Sequence, residues 1–300
     1  MNDSAIAPSE ILAAIRAGQS IAQLDLYRVD FIDAQLQLVN LKGLNSIGAD
    51  FSRANLSGAD LSGADLRGAN LSHADLSGAN LAGAYLNRSQ LYDTNLTGTD
   101  LTGAKLQVAR YNHHTIWAAG FAYKSSGAIG PGAILNGAYL NTANLRDADL
   151  SGANLLGSYL SGADLTGANL QNARLSGATL QRAYLTGASL RHARLNGVNL
   201  EGTDLRAADL TGIELEHLSS IAGADFSHVQ GLSDELRSML LGRSAAELDV
   251  WNAFTRRTTR QSLNQLTVVW AGDPTSTFKM VSQKSNQYAD RSISYFEQVN

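Results

Sequence analysis

A large apolar residue returns at every fifth position along most of this chain, usually with an alanine two places before it. One run passes from Phe51 through Leu56, Leu61, Leu66, Leu71 and Leu76 to Leu106, and a second from Leu135, Leu140 and Leu145 to Leu215. The alanines keep step at Ala54, Ala59, Ala64, Ala69 and Ala74, and again at Ala138, Ala143, Ala148 and Ala153. A period of five matches neither the helix nor the strand, so it predicts a repeat architecture of its own. In Ala59-Asp60-Leu61-Ser62-Gly63 the alanine and leucine point inward and the polar positions outward. The chain then runs straight briefly and turns, and four such sides close a coil of about twenty residues.

Stacked coils pair their backbones at about 4.8 Å, as strands do. Leu61, Leu66, Leu71 and Leu76 in the first run, and Leu150, Leu155, Leu165 and Leu170 in the second, are the expected core. Each buried leucine contributes roughly 1.5–3 kcal/mol. Leu26, Phe31, Leu36 and Leu41 keep the period with bulkier partners, Leu24, Val29 and Val39 among them, and Ser46 stands where a leucine is expected. Leu215 and Ile221 are six apart, which predicts one inserted residue. The array is expected over residues 24–231.

Between Gln107 and Gly132 the frame is disturbed. Tyr111 and Phe121 still fall on the beat, with Ala109 and Ala119 before them, so a distorted coil is expected to continue to Phe121. Beyond it the frame is lost in a glycine-rich loop and restarts at Ala133 in a new phase. Residues 1–23 are expected to hold a capping helix from Ser9 to Gly18, with Ile11, Leu12 and Ile15 as its apolar stripe. Residues 232–266 read as a helical cap. One helix starts at Ser233 and stops at Gly242, and a second opens on a capping box at Ser244 and Glu247 and runs through Leu248 and Trp251. Residues 267–300 carry no clear period and are expected to form a tail, mobile or ordered on a partner.

Composition narrows the functional classes. There are 28 glycines, 3 prolines and no cysteine, which excludes disulfides and thiolate metal sites. The formal net charge is −4, which offers no strong attraction for nucleic acid. No long apolar run and no basic leader with an apolar stretch occur, so neither a membrane span nor a signal peptide is expected, and the cytoplasm is the expected location. The six histidines are scattered, without a ligand-like spacing, and the serines sit in the five-residue beat rather than in a nucleophile elbow. No catalytic residue, metal or cofactor is therefore expected.

The stretches ANLSG at 54–58, ADLSG at 59–63, ADLRG at 64–68, ADLSG at 74–78 and ADLTG at 163–167 resemble the pentapeptide-repeat family, motif A(D/N)LxX. The resemblance implies an all-β solenoid, a right-handed quadrilateral β-helix, here with short N-terminal and C-terminal capping helices. Trp117-Ala118-Ala119-Gly120-Phe121, and the stretch from Arg243 to Leu263, are similar to insertions and C-terminal extensions of cyanobacterial members. Some members of the family imitate duplex DNA and bind gyrase, often as dimers joined through C-terminal helices.

Two surface features are candidates for binding another protein. The disturbed segment gathers His113, His114, Trp117, Phe121, Tyr123 and Lys124 with no acidic residue; Trp117 and Phe121 either pack the loop against a wall or anchor a partner. At a twenty-residue coil Tyr139 stacks on Tyr159 and Arg174 on Arg194, and the arginines sit in a basic band spanning residues 171–194. The expected function is a non-enzymatic scaffold for protein–protein interaction. The alternative is a DNA mimic that binds gyrase, which the modest net charge and interrupting basic residues disfavour. A homodimer through the C-terminal helices is the alternative use of the cap.

Overall fold

The computed structural model describes residues 10–11, 13–14 and 26–264. The chain divides into two units, Met1–Gln265 and Leu266–Asn300, and the tail expected at 267–300 lies outside the described residues.

Each repeat is one side of a coil. Asp60 bridges Asn80 in parallel, Asp65 bridges Tyr85, and so on around four faces, the ladder consisting of isolated bridges twenty residues apart. We call the faces A to D, after the columns that begin at Asp30, Gln35, Asn40 and Asn45. The bonding rule is uniform: Leu61 N–H donates to Asn80 C=O, Gly63 N–H to Ala82 C=O, and Asn80 N–H to Ala59 C=O. At each corner the alanine N–H returns to the leucine three before it, as Ala64 does to Leu61 at 3.0 Å. The third residue of that turn has positive φ, +66° at Gly63, the pattern of a type II turn and the reason glycine recurs there. Arg53 and His73 hold the same conformation without being glycine, at some cost in strain.

The aspartate or asparagine before each leucine has a local task that its outward direction does not suggest. Asp60 Oδ1 accepts the Ser62 N–H at 3.0 Å, and Asn80 Oδ1 the Ala82 N–H at 3.0 Å, an Asx-turn that pins the corner. Inside, Leu61, Leu66, Leu71, Leu76, Leu150, Leu155, Leu165 and Leu170 are fully buried, as are the alanines between them. Where threonine takes the alanine slot its hydroxyl finds a carbonyl one coil below: Thr94 and Thr203 donate to Leu71 and Leu180, each at 2.8 Å. Ser46, in a leucine slot, is accompanied by Leu44 in the alanine slot, both buried, so the two exchange volumes within one repeat.

The disturbed segment departs from the expected path. The core slot after Tyr111, which the five-residue beat gives to Ile116, is taken by Trp117 six residues on, with Thr115 as its partner and Ile116 exposed and bridging Asn95 between them; Phe121, the following beat, packs against Trp117 instead. The expected partner Ala119 is exposed. A hydroxyl suits the alanine slot there, and Thr115 donates to Leu91 C=O at 2.6 Å. The ladder resumes at Ile129, which bridges Arg110, one repeat before the expected restart at Ala133. Residues 117–127, with a short 3-10 helix at Tyr123–Ser125, thus replace faces C and D for one turn. The buried core divides at this level, one cluster ending at Ala128 and the other beginning at Ile129.

Helical residues meet the core at both ends of the described array. Of the helix expected at 9–18, residues 10, 11, 13 and 14 are helical and Ile11 is buried against the first core cluster; the remainder lies outside the described residues. At the other end, helices α1 (Asp234–Leu241), α2 (Ala245–Leu248) and α3 (Thr259–Leu263) bury Leu240, Leu248 and Leu263 in the second cluster. Ser233 caps α1, accepting from Leu236 N–H. The capping box expected at Ser244 does not form, and α2 stops at Leu248, short of Trp251. Glu247 is drawn away, holding Arg243 and accepting the Ile221 N–H of the last coil at 2.8 Å. Trp251 instead bridges Thr258 in an antiparallel pair, and the capping box belongs to Thr258 and Gln261 at the start of α3.

Candidate protein-interaction surface

The interior is filled by side chains, so any chemistry falls to the outer walls. Among the described residues no cluster of histidine, aspartate or glutamate is placed to hold a metal ion. No helix among them is long and apolar enough to cross a membrane.

The loop residues are drawn inward. Trp117 stacks on Tyr123 at 5.0 Å between ring centroids and on Phe121 at 5.7 Å, and meets Tyr111 edge-on at 5.4 Å. All three loop aromatics are partly buried against the first core cluster. They plug the core where two faces lack their turn, and so do not form an exposed knob. His113 and His114 remain exposed; His113 Nε2 lies 3.4 Å from Asp149, and the His114 N–H donates to Asn112 Oδ1. Lys124 is exposed beside the Tyr123 ring.

The arginine column stands apart from the loop. Arg174 and Arg194 lie two and three turns above Ile134 on one face, bridged to each other and both exposed. Arg194 pairs with Glu214 at 3.2 Å and Arg191 with Asp209 at 3.1 Å, so acids of the next turn neutralise part of the basic band. Tyr139 and Tyr159 stack on another face at 4.8 Å with rings 4° from parallel, and Tyr139 is 82% exposed.

Sequence reasoning missed Arg110. Its guanidinium donates to Asn144 C=O at 2.6 Å and Arg146 C=O at 3.1 Å. In an unbroken coil these carbonyls would receive backbone N–H groups from the turn below, which the loop has removed from face D. Arg110 therefore staples the turns on either side of the break. Also missed were Ile116 and Ile134, exposed on face B at positions where the motif carries aspartate or asparagine. The apolar residue at a polar slot was the available signal.

The repeat itself decides the family. Pentapeptide repeats match in 8 copies, over residues 34–72, 69–107, 131–155, 143–182 and 183–217. The chain belongs to the pentapeptide-repeat family. Membership implies a right-handed β-helical solenoid, in accord with the four-faced ladder. Among solved structures, this pentapeptide-repeat protein is similar to alr5209 from Nostoc PCC 7120, with 35% identity over 42% of this chain and 96% of that one, TM-score 0.35. It is similar to HetL from Nostoc sp. strain PCC 7120, a pentapeptide-repeat protein involved in heterocyst differentiation regulation, with 27% identity over 75% and 96%, TM-score 0.28. A third is QnrB1, a plasmid-mediated fluoroquinolone resistance protein, with 19% identity over 70% and 97%, TM-score 0.28. None of the curated proteins matches this chain.

Proposed function

We propose that this protein is a non-enzymatic scaffold that binds another protein through the outer walls of its β-helix near the interrupted turn. The observation that carries the proposal is the stacked pair Tyr139 and Tyr159, an exposed aromatic ladder directly above the break, on a wall otherwise built of small polar residues. Large aromatic rings held rigidly cost little entropy on binding and are frequent anchors of interfaces. A filled interior and outward-facing carboxylates engaged in corner turns leave the walls as the working surface.

Capture from a cyanobacterial lysate tests it, with wild type against Y139S Y159S, a surface pair whose loss leaves the core untouched. A partner retained by wild type and lost by the variant supports the proposal; equal capture by both removes the tyrosines from it. A DNA mimic that binds gyrase is the second reading. Lys105, Arg110, Arg174 and Arg194 interrupt the columns that such a mimic needs acidic. Inhibition of gyrase supercoiling at low micromolar protein would reverse that order. Dimerisation through the C-terminal helices has less in its favour, since α1 to α3 already bury Leu240, Leu248 and Leu263 in the chain's own core.

A further inference from the structure

The interrupted turn leaves backbone groups open on both sides of the break. Below it, the N–H groups of Gly98, Leu101, Gly103 and Leu106 donate to no acceptor among the described residues, although their equivalents one coil lower, such as Leu81 to Asp100, all pair. Among the described residues the carbonyls of Thr99 and Ala104 likewise accept nothing, and above the break the N–H groups of Tyr139 and Asn144 donate to nothing. The alanine slots report the same opening. Ala59, Ala64 and Ala79 are sealed, whereas Ala104, Ala138 and Ala143, which border the break, are partly exposed.

A groove of about 640 Å³ opens at this level, with Arg88, Val108 and Arg110 on one side and Tyr139, Leu140 and Asn144 on the other. Its lining includes two arginines and no carboxylate. Arg88, Lys105 and Lys124, around the break, make no salt bridge among the described residues, while Asp100, Asp147 and Asp149, the last held by His113, are acids nearby. Unpaired ladder groups facing each other across a missing rung are the requirement for strand addition, in which main-chain bonds supply affinity and flanking side chains supply selectivity.

We infer that the break on faces C and D receives an extended acidic segment of a partner protein, which pairs with the open edges and replaces the missing rung. The inference rests on the scaffold reading and gives its partner a chemistry. The peptide carbonyls accept the N–H groups of Leu101, Gly103 and Leu106, and its carboxylates face Arg88 and Lys105.

A labelled peptide of alternating aspartate and valine, about ten residues long to span two faces, tests this against the full chain by fluorescence anisotropy. Two controls share its length: an alternating lysine and valine peptide, and the acidic peptide methylated at alternate backbone nitrogens. The acidic peptide is expected to bind, and both controls to bind at least about tenfold more weakly. R88A K105A is expected to weaken the acidic peptide similarly. Equal binding of the methylated peptide would overturn backbone pairing, and indifference to R88A K105A would overturn the charge preference. No binding of any peptide, the result if a second copy or residues 266–300 of this chain occupied the groove, would overturn the inference. A tyrosine-dependent partner in the lysate experiment together with a silent peptide assay would sink the groove and leave the scaffold standing.

Discussion

The ring of Tyr111 occupies the space that a side chain at Gly130 would need: a methyl group built on Gly130 would stand 2.5 Å from Tyr111 Cε1 and Cζ. Both residues hold leucine slots on consecutive turns, Tyr111 where the interrupted turn begins and Gly130 where the ladder resumes. An oversized residue is thus matched by an absent side chain, and the Tyr111 hydroxyl, donating to Pro131 C=O at 2.9 Å, fixes the ring there. Burial pushes the phenol pKa up, which keeps it a donor across the physiological range.

G130A is therefore expected to destabilise the protein by about 1–3 kcal/mol through overpacking, read by urea denaturation. Y111L in that background should recover part of the loss, because the smaller side chain vacates the clash. A G130A protein as stable as wild type would mean that the ring moves freely.

Removing the staple should weaken the junction between the two core clusters. R110A leaves the Asn144 and Arg146 carbonyls without their donor, at a cost of about 1–3 kcal/mol. In a stacked array, stability is a sum of neighbouring interfaces, so a weak interface lowers cooperativity. The expected outcome is a broadened or two-step denaturation curve monitored by circular dichroism, where wild type shows one step.

The C-terminal cap is held by side chains that stand in for the next coil. Ser262 Oγ accepts the Phe226 N–H at 3.0 Å, and Thr259 Oγ1 donates to Ile221 C=O at 3.0 Å. S262A should cost about 1–3 kcal/mol, because the buried N–H loses the one acceptor it has among the described residues. Faster hydrogen exchange at Phe226, with little change at Leu61, would be the corresponding local signature.

Corner carboxylates make stability depend on acid. Asp60 is held below its ordinary value of 3.8 by hydrogen bonds from Ser62. Asp204 is lowered as well: its burial, which alone would raise it, is outweighed by hydrogen bonds from Arg206. A folded-state value below the unfolded one adds stability above the unfolded pKa, and this is lost as pH falls through the folded value. The melting temperature should thus be flat near neutrality and fall below about pH 4. D60N, whose amide oxygen still accepts the corner N–H, should melt like wild type at pH 7 and lose less at pH 3.

Much of this was legible in the chain because the repeat is local. Leu61 and Ala59 declare their burial five residues at a time, and Ser233 and Asp234 announce α1 within one turn. The role of Asp60 was less so, since an outward polar residue looks like solvent contact until its bond to Ser62 is seen. Around the break the five-residue frame misled: it puts Ile116 inside, but Trp117 fills that slot and Ile116 faces out, because one extra residue between Tyr111 and Trp117 shifts the register to 21 at Ile116. Glu247 follows the same logic. Its spacing from Ser244 fits a capping box, yet the open edge at Ile221 offers a buried donor, and that bond is made instead.

The sequence by itself determined the coil: its period, its core of leucine and alanine, and its glycine-marked corners, all of which follow from bonds and packing within neighbouring repeats. Only the tertiary structure decided what happens where the repeat fails. The pairing of Tyr111 with Gly130, the reach of Arg110 to the far side of the break and the open edges on faces C and D join residues of different coils. Such contacts depend on how the chain's path closes in space, which no local pattern records.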